Sequence, residues 1–521
     1  MSSNAVPALG RREFTRWFWR QLTSMRTALL LLLLLAIAAV PGSLYPQRGV
    51  DARAVETYFL DHPKLAPVLD NLGMFAVYSS PWFSAVYLLL MVSLIGCILP
   101  RSFVYLRAAR ARPPKAPRNF ARLPASASFE TDASPDAVVT AARRALGRSR
   151  TDVVDRDGIW EVSAEKGFLR EAGNLLFHVS IVVVLIGVAV GTLFGYRGSV
   201  IVTDGGGQFA NSLPQYDEFS SGTLFDTGDL PPFAFTLDKV TARFQPFNTP
   251  QAGAPREFRA RGTYAARPGD ADKPFDITVN HPLSIGSTSV YLLGQGYAPV
   301  FKITDAQGNV VFNDAVPFLP ADPTYTSNGI IKVPDAEPEQ LGFQGFFLPT
   351  AVTQGDKELS VSLHPAAANP LVGLNVWHGD LGLDDGQSQS VFILDKSKMQ
   401  QYMDGDAAFR LSLQPGMSAD LPDGGTIEFT DIRQFARFQI GSSPLVKVPL
   451  FGIVAGLIGL MVSLTIKPRR TWIRARRDGS RTVVDVAVLD RVPRDDLPAD
   501  LDDFLERFKD ALVETEEKTA T

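Results

Sequence analysis

His178 places an imidazole inside a stretch of chain that otherwise has no business with water. It follows Gly173-Asn174-Leu175-Leu176-Phe177 and opens an uncharged, apolar run that continues to about Gly195. An ionisable side chain inside such a run is costly, and it marks a functional position by default. A neutral imidazole there can ligate a metal or haem iron, relay a proton, or hydrogen-bond to a neighbouring helix. Gly187, Gly191 and Gly195 recur every four residues, a small-residue stripe that lets a second helix approach closely. Nine residues at about 100° each set Gly187 half a turn from His178. The helix therefore has a packing face and, opposite it, a face bearing His178 with Asn174 one turn below. Position alone leaves ligation and a purely structural hydrogen bond both open.

The other four histidines carry weaker signals. His62 falls in an amphipathic connecting segment, His281 in Val279-Asn280-His281-Pro282, and His364 and His378 in a region of short β-type runs. None has the spacing of a metal site, so each reads as a surface or hydrogen-bonded histidine. Cys97 is the only cysteine. One thiol builds no disulfide, no CxxC redox pair and no haem-attachment CxxCH. Nucleophile-elbow, HExxH, Walker and dinucleotide fingerprints are absent from the sequence, and Asp204-Gly205-Gly206-Gly207 reads as a turn. Hydrolytic and phosphoryl-transfer chemistry has no foothold here.

The elements that position His178 are membrane spans. Four apolar blocks, 27–45, 82–99, 172–195 and 448–466, each approach the ~20 residues that cross a hydrocarbon core. Lys and Arg cluster beside them: Arg11, Arg12, Arg16, Arg20 and Arg26 before the first; Arg101, Arg107, Arg110, Arg112, Lys115, Arg118 and Arg122 after the second. Lys467, Arg469, Arg470, Arg474, Arg476 and Arg477 follow the fourth. The positive-inside rule makes these three segments cytoplasmic. The expected plan is a polytopic α-helical membrane protein of the cell membrane with both termini cytoplasmic. Its parts are a cytoplasmic segment 1–26, an extracytoplasmic loop 46–81, a cytoplasmic α+β insert 100–171, a large extracytoplasmic β-rich domain 196–447 and a cytoplasmic tail 467–521, basic and then acidic. The net charge of −4 conceals this asymmetry, and the basic clusters serve topology rather than nucleic acid. A basic lead and leucine core give the first block some likeness to a signal peptide, but the long lead and the lack of an A-x-A site favour a retained helix.

Within the insert, residues 126–130 suit a strand. Ser134-Pro135 is an N-cap with proline at the first helical position, and 136–146 has helical spacing. Residues 151–155 and 159–163 flank Arg156-Asp157-Gly158 as a hairpin, which gives a β-α-β-β unit; the proline-rich stretch 112–117 before it reads as a linker. From 196 to 447, short β-branched and aromatic runs separated by Gly, Pro and Asp turns predict an antiparallel sandwich or double sheet without long helices. The tail is expected to hold a short helix at 501–513 and a frayed end.

Tyr78-Ser79-Ser80-Pro81-Trp82-Phe83, followed by Leu88 through Gly96-Cys97-Ile98-Leu99-Pro100-Arg101, resembles the second-span signature of the ResB (CcsB) family of cytochrome c biogenesis proteins. The helix bearing His178 is similar to that family's histidine-bearing span. Asn280-His281-Pro282-Leu283, Tyr291 and Gln295-Gly296-Tyr297 resemble its outer-domain strand motif, and the order of spans, large domain, final span and basic tail with Trp472 matches as well. The resemblance implies system II cytochrome c maturation, in a membrane complex with a ResC (CcsA) partner that delivers haem and attaches it to apocytochrome c. It implies His178 as a haem axial ligand, transiently to haem b, with no other metal. No other histidine lies within a span, so the partner is the natural source of the second ligand, and reduction of the substrate thiols falls to another protein. Lyase activity would belong to the complex, and no catalytic residue is assigned to this chain. The competing readings are an assembly scaffold that binds partner and apocytochrome without ligating haem and, more remotely, a transporter subunit with the glycines of the third and fourth spans, Gly452 and Gly456 among them, at a moving interface.

Overall fold

The computed structural model describes residues 10–354, 359–383, 391–490 and 496–520. Residues 1–9 of the N-terminal segment, and 491–495 and 521 of the tail, lie outside the described residues. The chain divides into two compact units, Met1–Ala189 with Leu445–Thr521, and Val190–Pro444.

The first unit contains helices α1 (Arg11–Leu22), α2 (Met25–Leu44), α3 (Ala52–Asp61), α4 (Ala66–Asn71), α5 (Pro81–Arg110), α6 (Pro135–Leu146), α7 (Leu169–Phe194), α8 (Lys447–Thr465) and α9 (Leu497–Ala520). Four helical stretches among the described residues are long and apolar enough to cross a membrane: α2, the stretch ending in α5, α7 and α8. The start of α5 is set by Ser80, whose hydroxyl accepts from the Phe83 N–H, and by Pro81 at the first position, where a missing N–H costs nothing. The helix runs past Pro100 to Arg110, eleven residues beyond the block expected from hydropathy. Between α2 and α5, helices α3 and α4 close a small core of Val55, Ala66 and Phe75. The Gln47 amide ties that core together, donating to the Met74 carbonyl and accepting from the Val77 N–H.

The expected β-α-β-β unit is present as Ala125–Thr131, α6, Arg150–Arg156 and Ile159–Lys166. It is only half of a domain. Residues of the expected tail form two ten-residue strands, Arg469–Asp478 and Arg481–Asp490, which insert between Ala125–Thr131 and Ile159–Lys166 to complete an antiparallel five-stranded sheet. The short helix expected at 501–513 is part of α9, 24 residues long. It joins α6 over one face, with Phe504 and Phe508 beside Val138, Ala142, Val162, Ile473 and Val486. On the other face the 112–117 stretch is laid across the sheet: Trp472 Nε1 donates to the Pro114 carbonyl, and the Arg474 guanidinium reaches Glu161 and the Pro117 carbonyl. Arg469, Arg470 and Arg474, basic residues of the tail, are thus bound to Asp490, Glu165 and Glu161.

The second unit is mostly β, and its described helices beyond the end of α7 are single 3₁₀ turns. Two 17-residue strands, Thr288–Thr304 and Thr426–Ser442, pair antiparallel along their length. At one end they and Tyr196–Thr203 cover a four-stranded sheet through Val200, Phe235, Leu237, Ile277, Val290 and Phe438. At the other they cover a six-stranded sheet through Phe301, Ile331, Phe343, Val372, Val376 and Phe429. Two sandwiches therefore share one long ribbon. Asp204-Gly205-Gly206-Gly207 is the turn the sequence suggests: Gly205 and Gly206 have φ of +78° and +102°, and the Asp204 carboxylate accepts from the backbone N–H groups of Val240 and Gln434.

Candidate functional site: the histidine of α7

Three faces of α7 have different neighbours. Gly173, Ser180 and Gly187, seven residues apart, are buried, as are Gly452, Gly456 and Gly459 of α8. A Cβ at Gly173 would lie 2.6 Å from the Gly459 carbonyl oxygen, and one at Gly187 would lie 2.8 Å from Pro449. The two helices thus meet with almost no side chain between them. Leu176, Val179, Val183 and Ile186 form an exposed apolar face. His178 lies on the third face, 200° of helical turn from Ser180 and in line with Leu185, whose carbonyl accepts from the Tyr87 hydroxyl of α5 at 3.3 Å. At the other end of the same pair, Tyr105 stacks on Phe168 at 4.6 Å. These two contacts run α5 antiparallel to α7 and set His178 level with the Leu94–Ile95 turn.

The imidazole Nδ1 is 2.8 Å from the Asn174 carbonyl oxygen. A carbonyl only accepts, so Nδ1 carries a proton, and in the neutral imidazole the lone pair is then on Nε2. This is the arrangement of a metal-ligating histidine, in which the hydrogen bond of one ring nitrogen fixes the tautomer and orients the other. The ring is part-exposed and meets Phe177 edge-on. No charged residue occurs from 172 to 194. Such a site can offer one neutral nitrogen donor to an iron or accept one hydrogen bond, and the same apolar surroundings suit the body of a porphyrin.

His178 stands eight residues after Arg170 and nineteen before Arg197, about 12 Å and about 28 Å along a helix of 1.5 Å rise. It is therefore close to the Arg170 end of the span.

The remaining histidines are accounted for by their own neighbourhoods. His62 caps α3 and packs on Tyr58. His364 is buried and stacked on Phe247; its Nε2 donates to the Gln245 carbonyl and its Nδ1 accepts from the Ala366 N–H, so both nitrogens are used. His378 pairs with Glu339 and stacks on Tyr402. His281 is exposed after Asn280, which has φ of +65° in a tight turn. No group of three or more potential metal-ligating side chains occurs among the described residues. Of the outer motif, Gln295 and Tyr297 are buried where the ribbon passes from one sandwich to the other, and the Tyr297 hydroxyl donates to the Pro365 carbonyl. Burial pushes the pKa of that hydroxyl up to about 12.

The sequence profile of the ResB-like family matches residues 25–502. The chain belongs to the ResB-like family. Among its relatives is a protein of Synechococcus sp. (strain JA-2-3B'a(2-13)) named cytochrome c biogenesis protein CcsB, 25% identical over 347 residues that cover 63% of this chain and 69% of the relative. Proteins of the same name in Synechococcus sp. (strain WH7803) and Thermosynechococcus vestitus are 28% and 26% identical, over 52% and 54% of this chain. The chain spans 58% and 60% of the length of these two. In this ResB-like chain the features missed by sequence reading are Gly173 and Gly459 at the α7–α8 contact and the Asn174 carbonyl. The heptad of small residues Gly173, Ser180 and Gly187 was the available signal for the first.

Proposed function

We propose that this ResB-like protein works in cytochrome c biogenesis, as the membrane subunit that holds haem as cargo on its way to apocytochrome c. The observation that carries the reading is the His178 tautomer: Nδ1–H donates to the Asn174 carbonyl, leaving Nε2 to serve as an axial ligand. Haem b, bound transiently, brings an iron that takes two axial ligands and vinyl groups that react with thiols. The chain's own contribution is to position one neutral donor within an uncharged, apolar stretch of helix. The second axial ligand comes from a ResC (CcsA)-like membrane partner, and thioether formation belongs to the complex. Another protein keeps the apocytochrome thiols reduced.

The basic flanks orient the spans with both termini in the cytoplasm and the β-rich unit outside the cell membrane. Support comes from the shared sheet: strands from the insert and from the tail pair with one another, so these segments occupy the same side, as two intervening spans require. In this orientation the Arg170 end is cytoplasmic, and His178 meets haem in the inner leaflet. The β-rich unit holds apocytochrome or the partner's outer loops in register.

Complementation tests the assignment. A strain lacking this chain is expected to lose haem-stained c-type cytochromes while keeping b-type ones, and His178→Ala is expected to leave that defect uncorrected at normal protein level. Normal c-type cytochromes in the deletion strain would refute the proposed pathway; full rescue by His178→Ala would favour a scaffold that does not ligate haem.

A further inference from the structure

We infer that α1 is an in-plane membrane helix whose basic face binds anionic lipid headgroups. Arg11 through Gln21 are all exposed. At about 100° per residue, Phe14, Trp17, Phe18 and Leu22 fall on one side, with Arg11 among them at the helix start, and Arg12, Arg16 and Arg20 form a strip on the other, where Trp19 lies against Gly96 of α5. Phe14, Trp17 and Phe18 are each about half exposed, at 51%, 48% and 52%. A 12-residue helix is marginal in water by itself. Glu13 in the first turn, which accepts from the Gly10 N–H, and Arg20 in the last suit the backbone dipole, but Arg12, Arg16 and Arg20 repel one another at four-residue spacing. The helix is favourable only where its aromatic side leaves water and its arginines meet anions.

The position of α1 supplies that surface. A break at Thr23 and Ser24 separates it from α2: Ser24 is extended, with φ −85° and ψ 147°, and its side chain caps the new helix through the Thr27 N–H. The break is docked on α5, where the Ser93 hydroxyl donates to the Leu22 carbonyl and the Cys97 thiol to the Thr23 carbonyl. On the α2 side, Arg26 follows the break by two residues and the uncharged apolar block begins at Thr27. The break is thus level with the edge of the hydrocarbon, and α1 starts at the interface, where aromatic rings and arginines concentrate. Anionic headgroups supply the counter-charge for the strip. Lipid is the occupant because the aromatic face is continuous with a spanning helix.

The test uses the full chain in vesicles, with Cys97→Ser retaining a donor to Thr23. Nitroxide labels are placed at Gln21→Cys on the aromatic side and, separately, at Glu13→Cys on the basic side. In phosphatidylcholine with about one-third phosphatidylglycerol, the label at 21 is expected to be relaxed several-fold more by oxygen than by a water-soluble nickel chelate, and the label at 13 the reverse. The contrast is expected to shrink at least two-fold in phosphatidylcholine alone, and again in Arg12→Gln/Arg16→Gln/Arg20→Gln. Equal exposure of both labels to the nickel chelate would overturn the inference, as would shielding of both from both reagents. A contrast indifferent to lipid charge in the wild-type chain would overturn the anionic-lipid assignment without relying on the arginine variant.

Discussion

At the residue scale, what distinguishes His178 from the other four histidines is a ring nitrogen left over within an uncharged apolar helix. His364 spends both ring nitrogens on backbone groups, whereas His178 spends one and is left with Nε2 in apolar surroundings. Because the acceptor is the backbone of Asn174, its side chain is dispensable. Asn174→Leu is expected to retain haem affinity within about two-fold, less than 1 kcal/mol, in spectroscopic titration; a loss as large as that of His178→Ala would make the side chain the orienting group. An imidazole in an uncharged run was legible in the sequence. Its tautomer was not, because every helical residue offers a carbonyl four positions back and only coordinates reveal which one a side chain uses. Tyr297 gives a second prediction at this scale. Its hydroxyl titrates higher in the folded state than in the unfolded one, at about 12 against about 10. The unfolded chain therefore loses its proton first, and this group's share of folded-state stability is complete below pH 10 and is lost as pH rises through 12, on the order of 2–3 kcal/mol. Denaturant titrations should show this decline, and Tyr297→Phe should lessen it, the remainder belonging to the other tyrosines whose hydroxyls burial also pushes up, Tyr216 and Tyr402 among them.

At the element scale, the pairing of α7 with α8 depends on the absence of side chains. Gly173→Val puts atoms into the space of the Gly459 carbonyl and is expected to destabilise the pair by about 1–3 kcal/mol, read as a lower thermal midpoint in detergent. Of the glycine stripe read in the sequence only Gly187 meets α8, while Gly191 and Gly195 face residues 442–444; the contact instead follows the heptad Gly173, Ser180 and Gly187, which a four-residue repeat does not pick out. The tail was the element least legible. Thr471, Ile473 and Ala475 alternate with Trp472 and arginines, and 482–489 is rich in β-branched residues, a local hairpin that the reading of a basic-then-acidic tail passed over; the outer partner of each strand is more than 300 residues away, and local pattern does not specify distant pairing. Strand Ala125–Thr131 has its whole ladder on Arg481–Asp490. A chain ending at residue 466 is therefore expected to leave the insert unfolded, with limited proteolysis cutting within 120–166; protection equal to the full chain would contradict the shared domain.

At the scale of the whole molecule, hydropathy was enough to read four helices long and apolar enough to cross a membrane, and short β-branched runs between turn residues to read a large β-rich region, because both signals are local. The long shared ribbon of that region was not legible, since alternation identifies strands and not which sheets they bridge. Most of the chemistry proposed for this ResB-like protein converges on a single imidazole, and an absorption spectrum reads it most directly. Purified with its membrane partner from haem-replete cells, the wild-type chain is expected to show a Soret band that is lost or shifted in His178→Ala and regained when imidazole is added. A band of unchanged position and intensity in His178→Ala would contradict axial ligation and leave this histidine a structural group.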